Sequence, residues 1–159
     1  MISLRKVVRY LTKRAPEKLL PIDIDIMYWF RNNRMFYLSK MWKNKIYYKY
    51  NVDISVQSQI SSMVRFTHPV GIVIGDKAII KDNVIILQGV TIGGSFNNGC
   101  EQIIEENVIL CAGAKILGKV TIGKGAIIGA NAVITKDVPE NMVATGYNLL
   151  LSKAAKEYE

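Results

Sequence analysis

The sequence predicts a mainly β chain, a parallel β-helix of six-residue repeats preceded by a short α-helical segment. Three observations carry that expectation. Aliphatic residues recur at every sixth position: Ile74, Ile80, Ile86 and Ile92, then Ile104, Leu110, Ile116, Ile122, Ile128 and Ile134. Small or β-branched residues stand four positions after the rungs, as Ala78, Val84 and Val90, then Val108, Ala114, Val120, Ala126, Ala132 and Val138. Three positions after six of the rungs come Asn83, Gly89, Asn107, Gly113, Gly125 and Asn131, the residue types that tolerate positive φ. An aliphatic side chain thus points inward from each short strand, a smaller one packs near the corner, and Gly or Asn turns the chain. Three strands close a coil of about 18 residues, and the coils stack.

The elements follow in chain order. Residues 1–52 read as helices: Leu4, Val7, Val8 and Leu11 fall at helical spacing, Pro16 and Pro21 punctuate the segment, and a second helical stretch runs from about Ile24 to Tyr50. This third holds 12 of the 21 Lys/Arg, only 3 of the 13 Asp/Glu, and 10 of the 14 aromatic residues, so the whole formal charge of +8 belongs to it. Residues 53–146 form the β-helix. Its opening rungs, Ile54, Ile60 and Phe66, also run by six, but eight residues separate Phe66 from Ile74, so the chain bulges at Thr67, His68 and Pro69. A second interruption over 93–103 replaces inward aliphatics with Ser95-Phe96-Asn97-Asn98-Gly99, a polar projecting loop. Residues 147–159 make a C-terminal tail expected to be helical.

Composition excludes several classes. With 159 residues, 50% hydrophobic and 21% charged, the chain suits one folded domain with a small appendage and is no disordered tail. No uncharged run approaches the roughly 20 residues of a membrane span, and the first residues lack a signal peptide's apolar stretch. Cys100 and Cys111 have no metal-type spacing, so a reducing cytoplasm and no bound metal are expected. A single histidine, His68, cannot furnish a three-histidine zinc site in one chain. No nucleic-acid motif accompanies the basic charge. Basic and aromatic residues on helices fit either a helical cap with a solvated basic face or a surface that leans on anionic headgroups in peripheral contact with the inner face of a membrane.

Chemistry is expected where the repeat breaks. An imidazole with a pKa near ~6.5 is mostly neutral at neutral pH and can take a proton from a hydroxyl in a transition state. His68 stands on the bulge, and is therefore the candidate general base.

The stretches Thr67-His-Pro-Val-Gly-Ile-Val-Ile-Gly75, Ile86-Leu-Gln-Gly-Val-Thr-Ile-Gly-Gly94 and Ala112-Gly-Ala-Lys-Ile-Leu-Gly118 resemble the serine acetyltransferase branch of the hexapeptide-repeat acyltransferases, over about Phe36 to Gly146. The resemblance implies a left-handed β-helix, a homotrimer, and acetyl-CoA as co-substrate in a groove between neighbouring subunits. It also implies that Asp53, 15 residues before His68, orients the imidazole and sets its tautomer. A backbone N–H of Gly93 or Gly94 would face the oxyanion, and the small residues Ala112, Gly113 and Ala130 would border the pantetheine arm.

The chain departs from that branch at the acceptor. The family's aspartate before the histidine is Thr67, and its Arg-His pair in the projecting loop, which contacts the substrate carboxylate, is Cys100-Glu101. A lost cation and a gained acid have the wrong sign for a carboxylate. The helical segment is shorter than the family's, and its C-terminal Gly-x-Pro-Ala-basic stretch reads Gly146-Tyr-Asn-Leu-Leu150, leaving Lys136 or Lys153 to meet the nucleotide phosphate. These departures predict an acetyl-CoA-dependent O-acetyltransferase that modifies a sugar or glycan hydroxyl in surface polysaccharide synthesis, as short members similar to the colanic acid acetyltransferases do. Thr67, Asn97, Asn98 and Glu101 would hold that acceptor. The alternatives are serine O-acetylation and a non-catalytic scaffold.

Overall fold

In the structure, a computed structural model, residues 15–94, 101–146 and 149–152 are described, the last four by their backbone alone. The helical pattern at Leu4–Leu11, the loop residues Asn97, Asn98 and Cys100, and Lys153 lie outside the described residues.

Two helices lead the described chain, α1 (Pro16–Asn32) and α2 (Phe36–Tyr50). The single stretch expected from Ile24 to Tyr50 is therefore divided. The division is a C-terminal cap: Arg34 takes the left-handed conformation at φ 60°, its N–H donates to the Arg31 carbonyl at 3.0 Å, and the Met35 N–H donates to the Phe30 carbonyl at 2.9 Å. The Asn33 side-chain amide adds a bond to the Trp29 carbonyl at 2.8 Å. Pro16 opens α1, where a missing N–H costs nothing, while Pro21 lies inside the helix rather than ending it.

The helices are joined by a buried carboxylate. Asp23, fully buried on α1, accepts from Tyr50 Oη at 2.6 Å, Trp42 Nε1 at 3.1 Å, Lys49 Nζ at 3.1 Å and Lys45 Nζ at 3.3 Å, all on α2. Leu20, Met27 and Ile46 close the apolar part of the contact. Helix α1 in turn caps the open end of the β-helix. Arg31 Nη1 donates to the Val56 and Ser58 carbonyls at 2.8 and 3.1 Å, and Tyr28 Oη lies 2.8 Å from Ser58 Oγ. Burial pushes the Tyr28 hydroxyl up to about 12, so it stays a neutral hydrogen-bonding partner.

From Asp53 the chain winds as a left-handed parallel β-helix with three faces. Face A stacks β1 (Asp53–Ile54), β4 (Val73–Ile74), β7 (Thr91–Gly93), β10 (Lys115–Leu117) and β13 (Val133–Ile134). Face B stacks β2 (Gln59–Ile60), β5 (Ala78–Ile80), β8 (Gln102–Ile104) and β11 (Val120–Ile122). Face C stacks β3 (Arg65–Phe66), β6 (Ile85–Ile86), β9 (Ile109–Leu110), β12 (Ile127–Ile128), β14 (Met142–Thr145) and β15 (Leu149–Ser152). Register keeps rung over rung, with Ile54 beside Ile74, Ile74 beside Ile92, Ile92 beside Ile116 and Ile116 beside Ile134. The ten rungs from Ile74 to Ile134 and the nine companion residues are all buried. All six predicted turn positions have positive φ, between 55° and 72°.

Two features were not anticipated. Of the tail expected to be helical, only residues 149–152 are described, and they form strand β15, antiparallel to β14. The exposed edge of face C offers unpaired backbone groups that a hairpin satisfies and a helix would not. Near the same end, Gly123 is required by a backbone approach: a Cβ there would sit 2.6 Å from the Glu140 nitrogen and 2.8 Å from the Pro139 carbonyl carbon. Gly123→Ala is expected to cost about 1–3 kcal/mol, read as a lower urea midpoint at constant slope. An unchanged midpoint would show that this coil shifts freely.

Among the described residues no helix is long and apolar enough to cross a membrane.

Candidate active site

The prism has three edges, and the sequence-predicted site residues divide between two of them. At the edge where face C turns into face A lie the bulge at 67–71 and, in successive coils, Gly89, Gly113 and Asn131. The bulge spends two left-handed residues where an ordinary corner spends one: His68 at φ 50° and Gly71 at φ 67°. The Val70 N–H folds back onto the His68 carbonyl at 2.7 Å, and the Gly71 N–H bonds the Asn51 carbonyl at 2.8 Å. Pro69 is buried and His68 exposed, so the corner presents the imidazole outward.

Asp53 begins β1 on the coil above, beside Asn51, and thus shares this edge with His68. Its carboxylate is engaged by a residue the sequence reading missed: Lys43 Nζ on α2 lies 3.0 Å from Oδ1. Oδ2 has no partner among the described residues, and is the oxygen available to an imidazole N–H. Nothing in the repeat pattern signals Lys43, because its role comes from the angle at which α2 meets β1.

Ala112, Gly113 and Ala130 also stand on this edge, in the two coils that follow Gly89. The Asn131 N–H donates to the Ala112 carbonyl at 2.9 Å, and a Cβ on Gly113 would collide with the Asn131 side-chain oxygen. At Gly113 the stacking itself favours glycine, because its backbone sits at φ 72°.

Gly93, Gly94 and Glu101 belong to a different edge, where face A turns into face B. A face A strand with its flanks, Val90 to Gly94, spans about 13 Å at ~3.3 Å per residue. One chain therefore does not bring these residues to His68. The two glycines also differ. The Thr91 N–H donates to the Ala114 carbonyl, and the same alternation along β7 spends the Gly93 N–H on the ladder with β10. Gly94 is exposed, with φ 77°, and its carbonyl accepts from the Gly118 N–H at 3.1 Å. Among the described residues its own N–H has no hydrogen-bond acceptor. Glu101 is exposed immediately before β8.

A cleft of about 630 Å³ opens beside His68 between α1 and the first coil. Its coil wall runs from Ser62 to His68, and its helix wall consists of Glu17, Lys18, Pro21, Ile22 and Asp25. Those five positions, at i, i+1, i+4, i+5 and i+8, are one face of a helix. The α1 acids and Arg65 were passed over in the sequence because an acid on an apparently solvated helix and a cation on an edge strand carry no motif. Among the described residues no group of three or more His, Cys, Asp or Glu is arranged to hold a metal ion.

Residues 103–136 match the family described as bacterial transferase hexapeptide (six repeats). The chain is 38% identical to the serine acetyltransferase of Haemophilus influenzae over 120 residues, which is 74% of this chain and 44% of that protein. A serine acetyltransferase structure in complex with CoA superposes with a TM-score of 0.80 at 34% identity, over 86% of this chain and 57% of the other. The soybean enzyme complexed with serine superposes with a TM-score of 0.83 at 30% identity, over 89% and 60%. The chain thus spans less than two thirds of the relatives it matches. These findings overturn the expectation of a sugar or glycan acceptor in polysaccharide synthesis, which rested on Thr67, Cys100-Glu101, the shorter helical segment and the likeness to short polysaccharide acetyltransferases. A changed residue at one contact says little about acceptor class when the scaffold around it is shared. The chain is a hexapeptide-repeat left-handed β-helix closely related in fold to the serine acetyltransferases.

Proposed function

We propose that this protein is an acetyl-CoA-dependent acetyltransferase that acylates the hydroxyl of serine. The observation that carries the reading is the 38% identity to a serine acetyltransferase across 74% of this chain. The bulge corner supports it, since it turns the chain's only histidine out of the repeat and beside a cleft.

In this reading His68 takes the proton from the serine hydroxyl as the oxygen attacks the thioester carbonyl. Asp53 Oδ2 accepts the N–H of the other ring nitrogen, while Lys43 holds Oδ1 and so fixes the carboxylate's orientation. The tetrahedral oxyanion receives the Gly94 N–H. The C–S bond then breaks, and the imidazolium returns its proton to the departing sulfur, leaving O-acetylserine, CoA and neutral His68. Because Gly94 lies across face A from His68, it serves the His68 of a neighbouring copy. That requirement supports an assembly in which the groove lies between subunits. Ala112, Gly113 and Ala130 border the pantetheine arm along the shared edge.

The test is release of free thiol from acetyl-CoA in the presence of L-serine. Turnover that saturates in both substrates is expected. Thiol release no faster with serine than with buffer would refute the reading.

A further inference from the structure

This inference rests on serine as the acceptor and concerns how this chain recognises it. Thr67 stands where the serine enzymes carry an acid, and Cys100-Glu101 where they carry Arg-His, so the zwitterion must be met by other groups. We infer that Arg65 binds the acceptor's carboxylate, with the α1 acids Glu17 and Asp25 facing its ammonium across the cleft beside His68.

The placement follows from strand geometry. The Arg65 N–H donates to the Val84 carbonyl at 2.9 Å and the Thr67 N–H to the Ile86 carbonyl at 2.8 Å. Residues two apart on a strand share a face, so Arg65 and Thr67 emerge on the same side, about 7 Å apart. Phe66 between them is buried in the core. Arg65 is thereby exposed in the cleft three residues before the general base, in the same chain and at the same edge. Its guanidinium offers the forked donors that a carboxylate matches. Opposite stands the single helix face that carries Glu17 and Asp25, eight residues apart with Pro21 and Ile22 between them. The helix wall also carries Lys18, so its two acids leave it one net negative charge facing Arg65, which complements an amino acid's two charges. A neutral polyol could hydrogen-bond these groups but would leave their charges uncompensated.

The expected result is specific to one end of the acceptor. Arg65→Gln lowers kcat/KM for L-serine by about 10- to 100-fold, mainly through KM, the loss of one charge-assisted bidentate contact. It changes kcat/KM for L-serinamide, which lacks the carboxylate, by less than about threefold. Arg65→Lys keeps the charge without the fork and retains part of the preference for serine over serinamide. Affinity for CoA, measured by calorimetry, is unchanged in both variants. Equal effects on the two acceptors, or none, with wild-type serine turnover intact, would overturn this assignment and leave the proposed function standing. Absence of serine turnover in the wild type would remove both.

Discussion

Replacing His68 with asparagine is expected to lower kcat by about 10²- to 10⁴-fold, with the affinity for acetyl-CoA unchanged. The choice of asparagine follows from the backbone. His68 has φ 50°, and forcing most L-residues into that region costs about 1–2 kcal/mol, whereas asparagine enters it readily. Alanine would confound a lost base with a strained corner, because the Val70 and Gly71 hydrogen bonds depend on the bulge keeping its shape. Asparagine keeps the turn and a polar side chain but cannot accept the hydroxyl proton. Steady-state kinetics with L-serine, alongside a thermal melt, separate the two contributions. A variant with a wild-type melt and wild-type kcat would assign the imidazole to structure and refute the proposed chemistry.

Removing the Asp23 carboxylate has the largest expected effect on stability. Asp23→Ala removes the acceptor that the buried Tyr50 hydroxyl and the Trp42 indole N–H share, and the anion that pairs with Lys45 and Lys49, whose side chains are about one-third exposed. Breaking a buried charge cluster costs about 3–5 kcal/mol, and the two lysines can swing into water, which favours the lower end. About 3 kcal/mol corresponds to a fall in melting temperature of roughly 6–12 °C for a chain of this size. Asp23→Asn keeps an acceptor for Tyr50 but presents an amide N–H to an ammonium, so an intermediate loss is expected. The consequence reaches the site, because α1 carries Glu17 and Asp25, and α2 carries Lys43. A melting temperature unchanged by Asp23→Ala would show that the helix pair is held by its apolar contacts alone.

The β-helix was legible in the sequence because its unit is local. Each hexapeptide states inward aliphatic, corner residue and turn residue within six positions, and every coil repeats the statement. The bulge was legible for the same reason, as eight residues between Phe66 and Ile74 where the repeat allows six. The helix pair was less so: a cap built on Asn33 and Arg34 in place of glycine hid the break at 33–35, and Pro21 read as a boundary although its ring fits inside α1. Asp23 was hidden too. An acid between Ile22 and Ile24 looks like one solvated position on an amphipathic helix, and only the partners on α2 make it a buried one.

The sequence by itself determined the solenoid, its six turn positions, its rungs and the one corner where a histidine leaves the repeat, since these depend on spacing along the chain. Tertiary structure decided which residues meet. It paired Asp53 with Lys43, placed Gly94 on a different edge from His68, and set Arg65 across a cleft from Glu17 and Asp25. The physical reason is that the angle of α2 onto β1 sets Lys43 beside Asp53, closing a coil brings together residues about 18 apart, and docking α1 brings Arg65 opposite Glu17 and Asp25. None of these meetings leaves a mark in any local pattern. The proposed acceptor site is built from such meetings, which substituted positions along the chain do not reveal, whereas the fold is stated locally in every hexapeptide.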